Sequence, residues 1–534
     1  MNQKAKIIKE LTKLKEIKYS KYRSLLSRYH AKNRIFSKSE LLEVYKSLLK
    51  EDKIDENHRI EKFLKTKPSR TVSGVVPVTV LTKPYNCPGK CIFCPTRSDQ
   101  PKSYLSSEPG AMRAKMLKFD PFIQTKVRMQ ALKNIGHNTE KIELIILGGT
   151  WSYYHEKYQI WFITECFRAL NERSKSRSIT RENNIELLKR ELIKEQKLNE
   201  SAKHRCVGLV VETRPDFVDE DEVKRMRFLG VTKVQLGVQT LDNKLLKLNQ
   251  RGHSVRDSIK AIKLLRLAGF KLHIHWMVNL YASDIKNDFN DFKKLFKKES
   301  MKPDEIKLYP CLLLEGTKLY EYYLDGKYKP YSKNELLELL IKCKKIIPEY
   351  CRVSRLFRDI PSFEIVDGVK ETNFRQIVKK EMKERGLECN CIRCREIRDS
   401  SVKIKNIVLK MIKYKTNVTN EYFLSYVTNE NKIIGFLRLS VPLKKYSEDH
   451  FIRELRNSAI IREVHVYGIS SKIKSKNSNV IQHKGIGTKL VKKAEVISKR
   501  SGYNKISVIS AIGTRNYYKK LGYRIDKLYM SKEL

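Results

Sequence analysis

Apolar residues gather in short runs through the middle of the chain, at residues 75–81, 142–147, 206–211, 234–238, 272–278 and 305–309. Each run has strand length and is followed by a polar loop. Between them lie segments such as 255–268, whose apolar positions fall on one helical face. Strands alternating with amphipathic helices predict an α/β fold of repeated βα units with a parallel sheet, a partial or full (β/α) barrel. In such folds function sits on loops at the carboxyl ends of the strands. Residues 172–200 are polar and charged and predict an exposed helical insertion.

The pattern changes after about residue 370. Strand-like runs return at 422–427, 433–441, 461–467 and 505–509, with helices expected after Gly487 and from near Thr514. This reads as a smaller mixed α/β domain, within the usual domain size. At the other end, Ile7, Ile8, Leu11 and Leu14, and then Leu41, Leu42, Tyr45, Leu48 and Leu49, recur at helical spacing in a Lys-rich background. The expected division is a basic helical segment at 1–70, a barrel domain at 71–385, a cysteine-containing linker at 386–400 and a mixed domain at 401–534.

Charge adds a partner class. The 534 residues carry 110 Lys and Arg against 60 Asp and Glu, a net charge of +50. Such an excess attracts polyanions, and nucleic acid is the partner it favours most; genome bias or surface adaptation is the bland alternative. Residues 1–70 alone hold 20 basic against 9 acidic side chains. That segment suits RNA, a membrane surface or the neighbouring domain, and an ordinary solvated helix face accounts for it equally well. The first residues contain no apolar signal core, and no stretch approaches the roughly 20 apolar residues of a membrane span. The chain therefore reads as soluble and intracellular, with a cytoplasmic location expected.

Of the 11 cysteines, six fall in two short motifs, a pattern of metal ligation rather than of disulfides. Cys87, Cys91 and Cys94 stand at C-x3-C-x2-C spacing just after the first predicted strand. Three thiols there suit an iron–sulfur cluster with one iron left open for a small molecule; a structural zinc and unliganded thiols are the competing readings. Cys389, Cys391 and Cys394 form the second motif, which supports a zinc clamp between domains against reduced, unliganded thiols, with no fourth ligand evident.

A third site is suggested by Gln482-His483-Lys484-Gly485-Ile486-Gly487-Thr488, a Gly-rich turn after a strand and at the start of a helix. Free backbone N–H groups and the positive end of a helix dipole suit a pyrophosphate, although a Gly-rich helix start without ligand looks the same in sequence. Downstream, Tyr517 and Tyr518 open the last helix. A phenol there can act as general acid toward a leaving thiolate, or simply pack. Adjacent helical residues cannot face one way, so one is expected in the core and one at the site.

Taken together, these stretches resemble the Elongator catalytic-subunit family, in which a radical S-adenosylmethionine domain is fused to a GNAT-type acetyltransferase domain. The resemblance covers roughly residues 70–534. It rests on Leu147-Gly148-Gly149-Thr150, Glu212-Thr213-Arg214-Pro215-Asp216, Leu236-Gly237-Val238-Gln239-Thr240, Arg251-Gly252-His253, Arg358-Asp359-Ile360-Pro361, Arg462-Glu463-Val464-His465-Val466-Tyr467 and Gly513-Thr514-Arg515-Asn516-Tyr517-Tyr518. The resemblance implies a tRNA-modifying enzyme that builds a 5-carboxymethyl group on the wobble uridine from acetyl-CoA. It also implies a [4Fe–4S] cluster on Cys87, Cys91 and Cys94 with S-adenosylmethionine on its open iron. Gly148, Gly149, Glu212, Arg214, Gln235 and Gln239 would wall that site, and Lys141 would reach acetyl-CoA from the radical domain. Glu463, Val464, His465 and Val466 would follow the pantetheine arm. Lys484, Gly485, Ile486, Gly487 and Thr488 would cradle the pyrophosphate, with Tyr518 near the thioester. The partners implied are the tRNA anticodon stem-loop and accessory Elongator-like subunits, with no membrane. A protein lysine acetyltransferase using the smaller domain alone, and an RNA-binding scaffold with a structural cluster, are the rival readings.

Overall fold

The computed structural model describes residues 3–14, 16–29, 35–67, 71, 73–175, 184–371, 373–398, 407–467 and 485–534. Seven parallel strands form the first sheet: β1 Val76–Leu81, β2 Lys141–Leu147, β3 Arg205–Thr213, β4 Lys233–Gln239, β5 Lys271–Val278, β6 Glu305–Pro310 and β7 Arg352–Arg355. They pair in chain order from β1 to β7, and the ladder does not close on itself. This is the expected partial barrel.

The central strands have two unlike faces. Val234, Leu236 and Val238 of β4, Leu272, Ile274 and Trp276 of β5, and Ile306 and Leu308 of β6 are buried in the main core. The alternate positions are Lys233, Gln235, Gly237 and Gln239, then Lys271, His273, His275 and Met277, then Glu305, Lys307 and Tyr309. Parallel strands covered on both faces usually read as continuous apolar runs. Here the period of two separates a dry face, against helices, from a polar face that lines the concave side.

The outer helices include Pro121–Asn134, Glu156–Leu170 and Ile185–Asn199. The last of these falls in the segment expected to be an exposed insertion, and it is not one. Leu188 and Leu192, one turn apart, are buried, and Arg168 reaches back from the preceding helix to Glu195 at 3.2 Å. The helix belongs to the outer layer. Its polar appearance comes from buried Glu195, Gln196 and Asn199, which satisfy one another's neighbours; Asn199, for example, bonds the backbone of His204 and Cys206.

Helices Gln3–Thr12, Tyr19–Arg28, Lys38–Lys50 and His58–Leu64 make up the N-terminal segment. Their apolar faces close on each other through Ile7, Ile8, Leu11, Leu41, Leu42, Tyr45, Ile60 and Leu64. Ser37 and Glu40 form a capping box at the start of the third helix. The segment seats on the first sheet's helical layer, where Lys46 Nζ donates to the Lys133 carbonyl at 3.1 Å. Its apolar stripe is thus used internally.

The second sheet holds β8 Val408–Lys415, β9 Thr419–Val427, β10 Ile433–Pro442, β11 Ser458–Val466, β12 Lys505–Val508, β13 Arg524–Asp526 and β14 Tyr529–Glu533. Its order is β13-β14-β12-β11-β10-β9-β8. Only β11 and β12 are parallel, and they pair over Ser458–Ile461 alone, so Glu463 to Val466 run on without β12 beside them. That divergence leaves room along one strand for an extended ligand. Four strands, β7, β8, β13 and β14, were not foreseen from the apolar pattern; β8 buries little, and β7 and β13 are very short.

Candidate active site

Two regions of interest sit on opposite ends of the first sheet. At the carboxyl ends of its strands, Cys87, Cys91 and Cys94 line one cavity with Glu108, Gly149, Thr150, Glu212, Arg214, Gln239, Arg251, His275, Lys307, Tyr309 and Arg358. Gly148 and Gly149 have φ of 132° and 97°, conformations that favour glycine, at the turn after β2. A Cβ on Gly148 would collide with Thr82, and one on Gly89 would collide with the Arg214 guanidinium. Both backbones must pass close to their neighbours.

The electrostatics of the triad are cationic. Arg251 Nη1 donates to Cys91 Sγ at 3.1 Å. Arg214 holds Asp216 through Nε and Nη2, at 3.0 and 2.8 Å, while its buried Nη1 has no hydrogen-bond partner among the described residues. A hydrogen bond with Cys94, followed by the fields of Arg251 and Arg214, pulls the Cys91 thiol well down; the same bond pushes Cys94 well up. Cys87 Sγ lies 3.7 Å from Thr150 Oγ1. Three thiols under two guanidiniums, one with an unused donor, fit a sulfur-rich anionic group.

The wall of the cavity is a connected polar set. Tyr104 donates to Glu212 at 3.3 Å, and His275 Nδ1 lies 3.5 Å from the same carboxylate. Gln235 does not line the cavity; it accepts from Lys307 and is bonded to His275 Nε2 at 2.9 Å, so it holds residues that do. Gln239 lines it with a left-handed backbone, φ 70°, and a buried Oε1 without a partner among the described residues. Burial pushes the Lys307 ammonium down to about 7, with Glu212 opposing and Arg355, Lys233 and Arg358 reinforcing. Burial likewise keeps His275 neutral and raises Tyr309 to about 12. Lys307, Arg251, His275, Tyr309 and Arg358 had been given no role from sequence. The polar–apolar alternation of β5 and β6 was the available signal.

The Gly-rich turn lies in the second sheet's domain. Gly485, φ 68°, precedes the helix Ile486–Arg500, and Lys484 lies outside the described residues, as do Gln482 and His483. A Cβ on Gly487 would sit 2.8 Å from the Tyr517 hydroxyl. Tyr517 is pushed up by burial despite a hydrogen bond to Thr488. Tyr518 is buried between Tyr517 and Tyr523, at ring distances of 5.1 and 5.8 Å, and burial pushes its phenol well up. Tyr517 therefore borders the turn, while Tyr518 stands in the core behind it. On β11, Val464, His465 and Val466 are half-buried, and burial lowers His465 to about 4.

A charged joint ties the two regions together. Asp304, fully buried at the foot of β6, accepts from both Arg462 Nη atoms at 2.6 and 2.7 Å, and Arg438 lies 3.3 Å away. Burial alone would raise the Asp304 carboxyl, but those guanidiniums hold it well below its ordinary value. Arg462 also bonds Glu421 at 2.8 Å. Glu463, expected along the pantetheine arm, is engaged by Arg438 at 2.9 Å and by Lys271, and so belongs to this joint. From Lys271 the polar file continues inside the half-barrel through Glu305, Lys233 and Glu143. Lys141 opens β2 beside Arg205, whose side chain abuts Gly513 of the second domain. Burial, then Arg205, lowers the Lys141 ammonium.

The second triad is compact. The sulfurs of Cys389, Cys391 and Cys394 all lie within 4.8 Å of one another, and among the described residues no fourth His, Cys or acid joins them. In the first triad Cys91 and Cys94 bond each other and Cys87 stands apart, so the three sulfurs are not gathered so tightly. A single ion needs converging thiolates, and a cluster of four irons needs them spread wider. Lys344 Nζ lies 3.7 Å from Cys394 Sγ. Around this triad Arg395 bonds Asn431 at 3.0 Å and Arg352 pairs with Glu396 at 2.7 Å and with Tyr467 at 3.0 Å, joining the last strand of one sheet to the other domain.

Comparison with known proteins agrees with this two-part architecture. The Radical SAM superfamily model matches residues 82–291, the Radical_SAM C-terminal domain matches 303–384, and the Acetyltransferase (GNAT) family matches 406–523. The tRNA uridine(34) acetyltransferase of Methanocaldococcus infernus is 43% identical over 93% of this chain and 94% of its own. Elongator complex protein 3 of Homo sapiens is 36% identical over 88% of this chain and 86% of its own. A solved structure of the archaeal Methanocaldococcus infernus Elp3, lacking its first residues, superposes with a TM-score of 0.73 at 40% identity, over 86% of this chain and 99% of that one. Matches of this extent and identity make the chain a member of the family of tRNA uridine(34) acetyltransferases and Elongator complex protein 3, a radical SAM domain joined to a GNAT domain.

Proposed function

We propose that this chain modifies the wobble uridine of tRNA, using acetyl-CoA and S-adenosylmethionine to build a 5-carboxymethyl group. The observation that supports the reading is a three-thiol cavity and a Gly-rich helix start in two domains joined by the buried Asp304–Arg462 pair. Cys87, Cys91 and Cys94 would hold a [4Fe–4S] cluster, with Arg251 and Arg214 neutralising its charge. When bound, that cluster supplies the electron for reductive cleavage of S-adenosylmethionine, giving a carbon radical able to take hydrogen from an unactivated methyl group.

The chain's own residues bind and orient. Glu212, Gln239 and His275 would present acceptors and Lys307 a donor to polar groups of a ligand in the cavity, while Gly148 and Gly149 would let its backbone come close. Gly485 to Thr488 would take the pyrophosphate, Val464 to Val466 the pantetheine arm, and Lys141 the acyl end. Tyr517, which borders the turn and bonds Thr488, would be the phenol that meets a departing thiolate, with Tyr518 packed behind it in the core. The basic N-terminal segment, its apolar face already used, would hold the tRNA anticodon stem-loop by its phosphates. Zinc at Cys389, Cys391 and Cys394 would brace the joint. Accessory subunits and a cytoplasmic location would belong to the same reading. A lysine acetyltransferase would leave the thiol cavity without a role.

The test is anaerobic loading with iron and sulfide, then incubation with S-adenosylmethionine, reductant, acetyl-CoA and tRNA. Nucleoside mass analysis is expected to find 5-carboxymethyluridine. Its absence from a fully loaded enzyme would contradict the proposal.

A further inference from the structure

A row of aromatic rings reaches the surface at the lip of the thiol cavity. Tyr85 stands two residues before Cys87, Tyr153 three after Thr150, and Phe217 three after Arg214. Three successive strand ends, those of β1, β2 and β3, thus each contribute one ring beside one cavity-lining residue. Phe217 meets Tyr153 edge-on at 5.5 Å, and Tyr153 meets Tyr85 at 5.9 Å. Behind them Tyr85 stacks on Tyr154 at 4.8 Å and Tyr154 on Tyr158 at 5.0 Å.

The outer rings are exposed, and the inner ones are fixed. Tyr85 is 40% and Tyr153 38% exposed, against 5% for Tyr154. Among the described residues the other exposed aromatics are Tyr19, Phe363 and Tyr517, and only Tyr85 and Tyr153 touch each other. Tyr154 donates to the Lys83 carbonyl at 2.8 Å and is bonded to Thr82 Oγ1 at 2.8 Å, while the Lys83 N–H donates to Tyr158 at 3.0 Å. These bonds pin the rings to the segment that leads from β1 into Cys87, so little ordering remains to be done on binding. Tyr85 rests on this fixed layer and Tyr153 on Phe217, each keeping part of its surface open to solvent.

Beside Tyr85 and Tyr153 the nearby charge is mainly cationic. Lys83, Lys90 and Lys157 are exposed nearby and Lys102 is half-buried at the cavity edge. The acids gather on the Phe217 side: Asp216, which is bonded to Arg214, Asp219, Glu220, Asp221 and Glu222, the last paired with Arg225; Glu156 is the acid beside Tyr153. Aromatic faces beside lysines are how proteins hold unpaired bases of single-stranded RNA, and loops are the RNA targets whose bases can be splayed out.

We infer that Tyr85 and Tyr153, backed by Tyr154 and Phe217, form a stacking platform for an unpaired RNA base neighbouring the nucleotide delivered to the cavity. The inference rests on the RNA reading proposed above. It assigns to these residues a binding role separate from the cysteine chemistry, and one indifferent to the identity of the base.

The test measures binding of the full chain to a stem-loop RNA carrying 2-aminopurine in its loop, by fluorescence. Wild type is expected to bind and to quench the probe by stacking. Tyr153→Ala and Tyr85→Ala should each weaken binding about tenfold and relieve the quenching, within the range stacking supplies. Tyr153→Phe should behave as wild type, and Tyr153→Leu, which keeps apolar contact with Phe217 but has no π face, should behave as the alanine variant. The salt dependence of affinity should not change, because no charge is removed. Alanine and leucine variants that bind and quench as wild type would overturn the platform while leaving the RNA reading intact. Failure of wild type to bind any stem-loop would overturn both.

Discussion

Cys87, Cys91 and Cys94 line a cavity at the open end of the parallel sheet, whereas Cys389, Cys391 and Cys394 close on one another beside the joint between the two sheets. The motifs differ by two residues in their first gap, and spacing alone left zinc open for both. Their surroundings separate them. The first triad faces Arg251 and an unused donor of Arg214, next to a wall of ionisable groups that a ligand can meet. The second is surrounded by side chains already engaged in tying strands together. One set of thiols is arranged to present something, and the other to hold something.

Replacing one member of each triad should break the comparison most sharply. Cys91→Ala is expected to reduce modified nucleoside to background while the melting temperature stays near wild type. Cys391→Ala should lower the melting temperature by several degrees. Melting curves and product assays on both variants would show whether the roles are distinct; matching profiles would erase the distinction.

Next in size is the joint that the second triad braces. Asp304→Ala leaves Arg462 and Arg438 buried without their acid, which costs about 3–5 kcal/mol in urea unfolding. Acid acts in the same direction. Because the folded Asp304 carboxyl is held below its ordinary value, its contribution is present above about pH 4 and fades as pH falls further. Asp304→Ala should therefore flatten the acid limb of the stability curve.

A smaller effect is expected from a zinc chelator, which should lower the melting temperature modestly without altering iron–sulfur absorbance. Loss of that absorbance first would reverse the assignment of the two sites.

The finest contrast concerns the ionisable wall of the first triad. Folded Lys307 loses its proton at about 7, whereas the unfolded chain keeps it to about 10.5. The folded state is thus penalised below pH 7, and the penalty shrinks as pH rises from 7 toward 10.5. Lys307→Met should gain stability relative to wild type at pH 6.5 and lose that gain by pH 10, in urea midpoints measured at both.

Much of this architecture was legible in the chain. The apolar runs gave six of seven strands of the first sheet, and most residues quoted for the family resemblance in that domain lie around the cavity. Arg251 and Arg358 stood inside those stretches without a role, because a guanidinium's partner is set by tertiary approach: Arg251 meets Cys91 from 160 residues away. Lys307 and His275 were hidden in strands read only for their apolar members. The helix Ile185–Asn199 was misjudged because its buried Glu195 and Asn199 look exposed until Arg168 and the His204 backbone are seen to bind them. Glu463 was assigned to a ligand, and the joint with Lys271 and Arg438 could not be read from β11 alone.

The account's central claim is that both sites act on one molecule. Loaded enzyme given tRNA, S-adenosylmethionine and acetyl-CoA deuterated in its methyl group should yield 5′-deoxyadenosine that carries deuterium, by mass spectrometry. Deoxyadenosine formed in step with modified tRNA but free of deuterium would contradict it.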